Sequence, residues 1–431
     1  MSARTEYLTK LTDAATAVTW IRDGDTVVLP VAAGEPPALI EALSEQRESL
    51  RGVTVSQLLP IRPADYLDPG TADHLRHSSW FLGGPSRAGA REGWVDVIPL
   101  HFSEIPGLLR RGTLPCDVLF ALASPMDEHG FFSVGLSPAY TMAALEKARV
   151  VILEVNPQVP FCYGDCHVHI SQVSGIVEDD RPLPESAATP IGPVETAIAG
   201  HITEHVPDGC TLQIGIGAIP DAVVAQLTTR NDLGLHTEML GEGCLHLVRA
   251  GVVTGRKKNV HRGIVVATFA FGTRDLYDFM DHNPGVHMHP ADETNSPWVA
   301  GRNDRLRSIN SALQVDLLGQ CAAESIGPLP YSGTGGQSDF VRAANLSHDG
   351  KSFIALPSTA KGGTVSRIVA NLTPGAHVST SKNDVDYVVT EFGVARLRGR
   401  SLRDRAAMLI EIAHPDFREE LRDQAKALHL G

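Results

Sequence analysis

Nothing in this chain is apolar for long enough to cross a bilayer. The best run, Ile264 to Phe271, falls far short of the roughly 18 to 20 residues that a membrane span needs. Basic residues are scarce as well: 37 Lys and Arg stand against 50 Asp and Glu, for a formal charge of −13. That balance argues against a nucleic-acid binder with its basic face. It leaves room for an anionic small ligand, because local cations and helix N-termini hold phosphates on acidic proteins. Only six cysteines (116, 162, 166, 210, 244 and 321) occur among 431 residues, too few for a disulfide framework, so reduced thiols are expected. The opening MSARTEYLTKLTDAATAV has no apolar signal core, which makes a cytoplasmic enzyme the expectation. Low-complexity segments and short repeats are missing too.

What is present is the stock of a globular protein: 43% hydrophobic residues and 40 glycines support a sizeable core. At roughly 150 residues per domain the length suggests two or three domains. Short apolar runs at Asp25–Pro30, Asp117–Ala123 and Val150–Val155 read as strands, with helices at Pro37–Leu43 and Ala139–Lys147 between them. This βαβα rhythm predicts a largely parallel, doubly covered sheet. The stretch Glu178–Pro193, with four prolines and four acids, is the best linker in the chain. It divides residues 1–185 from residues 186–431. A helix opens at Pro193 and runs to about His205. A second α/β half follows, with strands at Thr211–Ile214, Leu235–Met239, Ile264–Phe271, Phe353–Leu356 and Tyr387–Thr390. Helices are expected from Pro220 and near Cys244–Ala250. The charged tail Leu402–Leu428 reads as helical, suited to capping a domain or to an oligomer contact.

Three segments carry candidate chemistry. In Leu212-Gln213-Ile214-Gly215-Ile216-Gly217-Ala218-Ile219-Pro220 a strand meets a glycine turn and then a helix. Exposed backbone N–H groups at such a turn favour an anion or a carbonyl oxygen, although many such turns are only tight connections. A dinucleotide fingerprint would need Gly or Ala where Pro220 stands, while an acid about 20 residues on (Asp232 or Glu238) fits that pattern. In Gly234-Leu235-His236-Thr237-Glu238-Met239 a strand would put His236 and Glu238 on one face. A charged residue ending an apolar strand before a Gly-rich turn lies where open α/β sheets do chemistry; the plainer reading is a solvated strand-end acid. The third is the glycine loop Tyr331–Phe340, with Pro357–Thr364 offering Lys361 among glycines and hydroxyls for a phosphate or pantetheine chain.

Other patterns fail. Cys162, Cys166, His167 and His169 crowd two thiols and two imidazoles into eight residues, yet their spacing matches no usual zinc pattern, so no metal is expected. His287 and His289 receive the same reading. No G-x-S-x-G elbow occurs, and Gly350-Lys351-Ser352 lacks the upstream glycine of a phosphate loop. The arginines at 396, 398, 400, 403 and 405 form the one marked basic stretch, read as a solvated face.

Taken in order, these segments resemble the acetyl-CoA hydrolase/transferase family, in its 4-hydroxybutyrate and butyrate CoA-transferase branch. The resemblance spans nearly the whole chain. It includes Gly34-Glu35-Pro36-Pro37, Ser124-Pro125-Met126-Asp127-Glu128-His129-Gly130 and Glu154-Val155-Asn156 in the first half. In the second half it includes the GIGAIP turn, the HTEM segment, Ser308–Asp316, the SGTGGQSDF loop, STAKGG, Val389–Ala395 and Ala413–Phe417. It implies two tandem open-sheet α/β domains of the CoA-transferase type. It also implies Glu238 as the nucleophile and the backbone N–H groups of Ile216 and Gly333 as an oxyanion hole. Coenzyme A would be held by Gly215, Ile216, Gly217, Ala218, Ile219, Gly333, Gly336 and Lys361. Glu391, on a similar Thr-Glu pattern, is the rival carboxylate. Two departures stand out: Gly241-Glu242-Gly243, where relatives often carry a small hydroxyl or acid and then Asp-Gly, and Cys166, where they tend to have Ser.

The chemistry so implied is transfer of CoA from an acyl-CoA to a free short-chain carboxylate through a glutamyl-CoA thioester, with ping-pong kinetics. It calls for no cofactor beyond coenzyme A as substrate, no nucleic acid and no membrane, and it admits a homo-oligomer. His236 is a candidate tuner of the Glu238 carboxyl. The alternatives are an acyl-CoA hydrolase of the same family, a nicotinamide-dependent oxidoreductase (against which Pro220 counts) and a non-catalytic CoA sensor.

Overall fold

The computed structural model describes residues 2–186 and 190–431. The chain forms two compact units. One comprises Met1–Ala187, Leu240–Glu242 and Val266–Thr294; the other comprises Ala188–Met239, Gly243–Val265 and Asn295–Gly431.

The first unit is built on seven strands: β1 Thr26–Val28, β2 Val53–Leu58, β3 Leu75–Phe81, β4 Val95–Val97, β5 Val118–Ala123, β6 Val150–Val155 and β7 Gly175–Glu178. Their order across the sheet is β7-β6-β5-β1-β2-β3-β4, and every pairing is parallel. Strands covered on both faces read as unbroken apolar runs. VLFALA in β5 and VVILEV in β6 are buried at every position. Helix Pro37–Glu45 opens on proline and lays Leu39, Ile40, Ala42 and Leu43 into a core with Val27, Val53, Val55 and Phe120. Its first turn rests on a buried acid. Glu154 of β6 accepts the Leu39 N–H at 3.0 Å through Oε2, and burial pushes its carboxyl up to about 7.

The second unit holds six strands: β8 Thr211–Ile214, β9 Gly234–Leu235, β10 Leu306–Ser311, β11 Lys351–Ala355, β12 Tyr387–Thr390 and β13 Gly393–Arg396. They lie in the order β9-β8-β10-β11-β12-β13. All pair parallel except β12 with β13, which forms an antiparallel hairpin. Helices Leu402–Ile412 and Arg418–Ala427 bury Leu409, Ile410, Ile412, Leu421 and Ala425 against the core around Val388 and Leu356. The charged tail therefore caps its own unit. Within the basic stretch Arg405 departs from the expected solvated face, being buried with its Nη1 on the carbonyls of Leu318 and Lys382 at 3.1 and 2.6 Å.

Of the expected linker Glu178–Pro193, residues 187–189 lie outside the described residues. Glu178 still belongs to β7, Pro193 opens helix Pro193–Thr203, and the carbonyl of Pro184 accepts from Tyr277 at 2.7 Å. The expected strand Ile264–Phe271 is broken into Val265–Ala267 and Phe269–Ala270.

In both sheets the chain winds outward in two directions from an interior strand. The reversal lies between β1 and β5 in the first and between β8 and β10 in the second. Crevices at the carboxyl ends of strands flanking such a reversal are where open α/β sheets bind ligands.

Candidate active site

The carboxyl end of β8 is the natural place to look. Its four residues are fully buried, and then the chain breaks at Gly215 and turns into helix Ala218–Gln226. Gly217 holds φ at +115°, a conformation open to glycine and strained for other residues. The backbone N–H groups of Ile216 and Gly217 meet no backbone acceptor among the described residues, and the Ile216 side chain is half exposed. Beneath the turn lies a buried polar floor. Gln213 Oε1 accepts from Ser308 Oγ at 2.7 Å and from Asn310 Nδ2 at 3.1 Å, and Asn310 Nδ2 also reaches Ser308 Oγ at 2.9 Å. These residues supply the Ser308–Asn310 part of the sequence pattern, and their work is to satisfy one another under the turn.

Beside the turn stands Glu238. β9 pairs with β8 through Leu212 and Leu235, and the His236 N–H still reaches the Leu212 carbonyl at 3.0 Å. Then a side chain takes over from the ladder. Thr237 Oγ1 accepts from the Ile214 N–H and donates to the Ile214 carbonyl, both at 3.1 Å, and the chain bends at Glu238. The expected strand Leu235–Met239 is thus interrupted after Leu235, and Met239 opens a separate two-residue strand, Met239–Leu240. The reading of His236 and Glu238 on one strand face is corrected, because period-two alternation ends where Thr237 replaces backbone pairing. His236 is buried with its Nδ1 3.5 Å from Asn303 Nδ2.

Two donors hold that carboxyl. Asn295 Nδ2 donates to Glu238 Oε2 at 2.7 Å, and the Gly336 N–H donates from the N-cap of helix Gln337–Leu346. The amino end of a ten-residue helix favours negative charge there. Burial works the other way and is the largest influence; together with the charge of buried Asp339, it outweighs both hydrogen bonds and raises the carboxyl to about 7. A carboxyl poised near neutrality, held by two donors, is the form expected of a functional acid or nucleophile.

The loop before that helix is anchored at two points. The Ser332 N–H donates to the Glu324 carbonyl at 3.1 Å, and Thr334 Oγ1 donates to Glu324 Oε2 at 2.7 Å. Between them the Gly333 N–H has no backbone acceptor among the described residues. The rival carboxylate has other work: Glu391 accepts from the Ser358 N–H at 2.8 Å and from Ser358 Oγ at 2.5 Å, pinning the segment that leads to Lys361. Lys361 sits exposed at the tip of the hairpin joining Thr359–Ala360 to Val365–Ser366, and no hydrogen bond or ion pair links it to Glu238.

The structure therefore brings together Glu238, Gly336 and, through the β8–β9 pairing, the turn Gly215–Ile219. It also adds Asn295, to which sequence reasoning assigned no role. Asn295 lies 57 residues beyond Glu238 with no motif around it, so only the tertiary fold could reveal it. In the first unit, Cys162 and Cys166 are buried thiols pushed above their ordinary range by burial, Cys166 to about 12. His167 Nε2 lies 2.8 Å from the Cys162 carbonyl. No group of three or more His, Cys, Asp or Glu among the described residues could hold a metal ion. Glu242, one of the noted departures, accepts from Thr273 Oγ1 at 2.8 Å.

Comparison with known proteins sets this geometry in context. Residues 1–184 match the acetyl-CoA hydrolase/transferase N-terminal domain, and residues 272–425 match the C-terminal domain of the same family. A Geobacter metallireducens protein named succinyl-CoA:cyclohexane-1-carboxylate CoA transferase is 50% identical over 98% of this chain and 97% of its own. A Clostridium kluyveri protein named 4-hydroxybutyrate coenzyme A transferase is 45% identical over 97% and 98%. Among solved structures, RipA from Yersinia pestis superposes with a TM-score of 0.96 at 39% identity over the full length of both chains. A 4-hydroxybutyrate CoA-transferase from Porphyromonas gingivalis does so at 0.85 and 40%, over 99% of each.

Proposed function

The chain belongs to the acetyl-CoA hydrolase/transferase family and is a CoA-transferase, and from that premise we propose that it works through a thioester on Glu238. The CoA donor is an acyl-CoA of the acetyl, butyryl or succinyl class, and the acceptor is a free carboxylate such as 4-hydroxybutyrate or another short-chain acid. The observation that carries this reading is the Glu238 carboxylate, held by Asn295 Nδ2 and the Gly336 N–H beside a turn whose N–H groups point to no backbone acceptor. The names of the relatives, which couple CoA to succinate, butyrate and 4-hydroxybutyrate, support the substrate range.

The steps balance as follows. A Glu238 oxygen attacks the thioester carbonyl; the C–S bond breaks, leaving a mixed anhydride and CoA thiolate. The thiolate attacks the glutamyl carbonyl, forming the glutamyl-CoA thioester and releasing the first acid as its carboxylate. An acceptor carboxylate then runs the two steps in reverse. Each addition places negative charge on a carbonyl oxygen. On this reading the N–H groups of Ile216 and Gly333, which have no backbone acceptor among the described residues, receive it, and loss of one such donor costs about 10²–10³ in rate. Asn295 and the helix amino end keep Glu238 ionised enough to attack, while burial keeps its charge reactive. No cofactor other than coenzyme A as substrate enters these steps.

Initial rates test the reading. With acyl-CoA varied at several fixed acid concentrations, reciprocal plots should be parallel, because the first acid leaves before the second binds. Intersecting lines would contradict a covalent route.

A further inference from the structure

β9 is the edge strand of the second sheet, and it ends three residues before Glu238. An edge strand leaves its outward backbone groups without a neighbouring strand. Gly234 and His236 turn theirs inward: the Gly234 N–H donates to the Cys210 carbonyl at 2.8 Å and the His236 N–H to the Leu212 carbonyl at 3.0 Å. Leu233 and Leu235 face outward. For Leu233 the segment Val252–Gly255 supplies the partners. The Leu233 N–H donates to the Val252 carbonyl, and the Leu233 carbonyl accepts from Thr254 and Gly255, all at 3.0 Å. At Leu235 a side chain takes the outer place. Lys258 Nζ donates to the Leu235 carbonyl at 2.8 Å and to the Ile264 carbonyl at 2.7 Å.

Lys258 is 3% exposed, and no ion pair of it is found among the described residues. An unpaired buried cation is costly, and burial pushes the ammonium down to about 7. The neutral amine has two N–H bonds, as many as the carbonyls it meets. Room for its stem comes from a glycine. A Cβ on Gly234 would lie 2.6 Å from Lys258 Cγ and 2.9 Å from Lys258 Cδ. Gly234 is not in the left-handed region, so the lysine lying across the strand, and not the local backbone, requires the glycine.

The effect falls on one peptide group. The Leu235 carbonyl and the His236 N–H share a plane, and that plane is gripped from both sides, by Lys258 outside and by the Leu212 carbonyl inside. Thr237 Oγ1 then fixes the following residue against Ile214, and Glu238 comes next. We propose that Lys258 is a positioning residue for Glu238: its amine holds the Leu235–His236 peptide so that the chain leaves β9 in the direction that delivers the carboxyl to Asn295 and Gly336. The proposal rests on the reading of Glu238 as nucleophile and adds to it a residue that acts through the backbone.

The test follows CoA adduct formation on the intact full-length chain by rapid quench and mass, with succinyl-CoA or butyryl-CoA varied and no acceptor. The amplitude counts folded sites, the concentration dependence gives the affinity for acyl-CoA, and the limiting rate constant reports how well Glu238 is placed. Lys258→Met keeps the length of the stem and removes the donors. It should lower the limiting rate constant about 10- to 100-fold, as expected for a misplaced reacting group, with affinity for acyl-CoA nearly unchanged. Gly234→Ala, which leaves the amine present but displaces its stem, should lower it in the same range. A Lys258→Met rate constant within about threefold of the unaltered one overturns the proposal, even where the amplitude falls, because a residue serving only the fold changes the number of sites and not their rate. If Lys258→Met does not fold, Gly234→Ala decides by the same threshold. If the unaltered chain forms no adduct, the reading of Glu238 fails and the proposal falls with it.

Discussion

Gly336 and Glu238 occupy each other's space. A Cβ built on Gly336 would lie 1.9 Å from Glu238 Oε2 and 2.3 Å from Asn295 Nδ2. The φ of Gly336 is −94°, which any residue adopts, so the glycine is required by the carboxylate and not by its own backbone. Gly336→Ala should therefore fold with nearly unchanged thermal stability. It should lose about 10²-fold or more in kcat/KM through displacement of the proposed nucleophile. Circular dichroism melting together with steady-state kinetics separates the two effects.

The pH dependence of the covalent step follows from the same carboxyl. On the proposed route Glu238 attacks as its anion, and its carboxyl is raised to about 7. Formation of the intermediate should therefore rise as pH climbs through 7 and level off above about 8. Rapid-quench measurement from pH 5.5 to 8.5 checks this, and a flat profile would exclude Glu238 as the titrating nucleophile.

Asn295 is a positioning residue for that anion. Removing its Nδ2 takes away one charge-stabilising hydrogen bond, worth about 1.5–3 kcal/mol or roughly one to two pKa units. Asn295→Ala should shift the midpoint of the profile upward by about that amount. A lower plateau with an unmoved midpoint would mean that Asn295 serves only packing.

Glu154 offers a test on stability alone. Its folded carboxyl is raised from 4.5 to about 7. Its contribution is therefore fully present below the unfolded value and is lost as pH rises through 7. Glu154→Gln keeps an oxygen for the Leu39 N–H and removes the titration. Urea unfolding should show a shallower fall in stability between pH 5 and 8 in the variant, and identical slopes would refute the burial account.

Much of this was legible in the sequence, and the failures have physical causes. Strands β6 and β8 were readable to the residue, β6 because a strand buried on both faces is a nearly continuous apolar run and β8 because the glycine turn at Gly215 closes it. Glu238, Gly336 and the turn after Ile214 were readable as a family pattern. The strand expected through Glu238 failed because one hydroxyl, Thr237 Oγ1, satisfies both backbone groups of Ile214 and lets the chain bend. Asn295 had no sequence signal. It matters only for what the fold sets beside it, a carboxylate 57 residues away.

The most direct test of a nucleophilic Glu238 is the mass of the intact protein after incubation with butyryl-CoA or succinyl-CoA and no acceptor, followed by peptide mapping. The account predicts an adduct equal to CoA minus water on the peptide that contains Glu238, absent from Glu238→Gln and discharged by added acid. An adduct on another peptide, or one that survives Glu238→Gln, would contradict it.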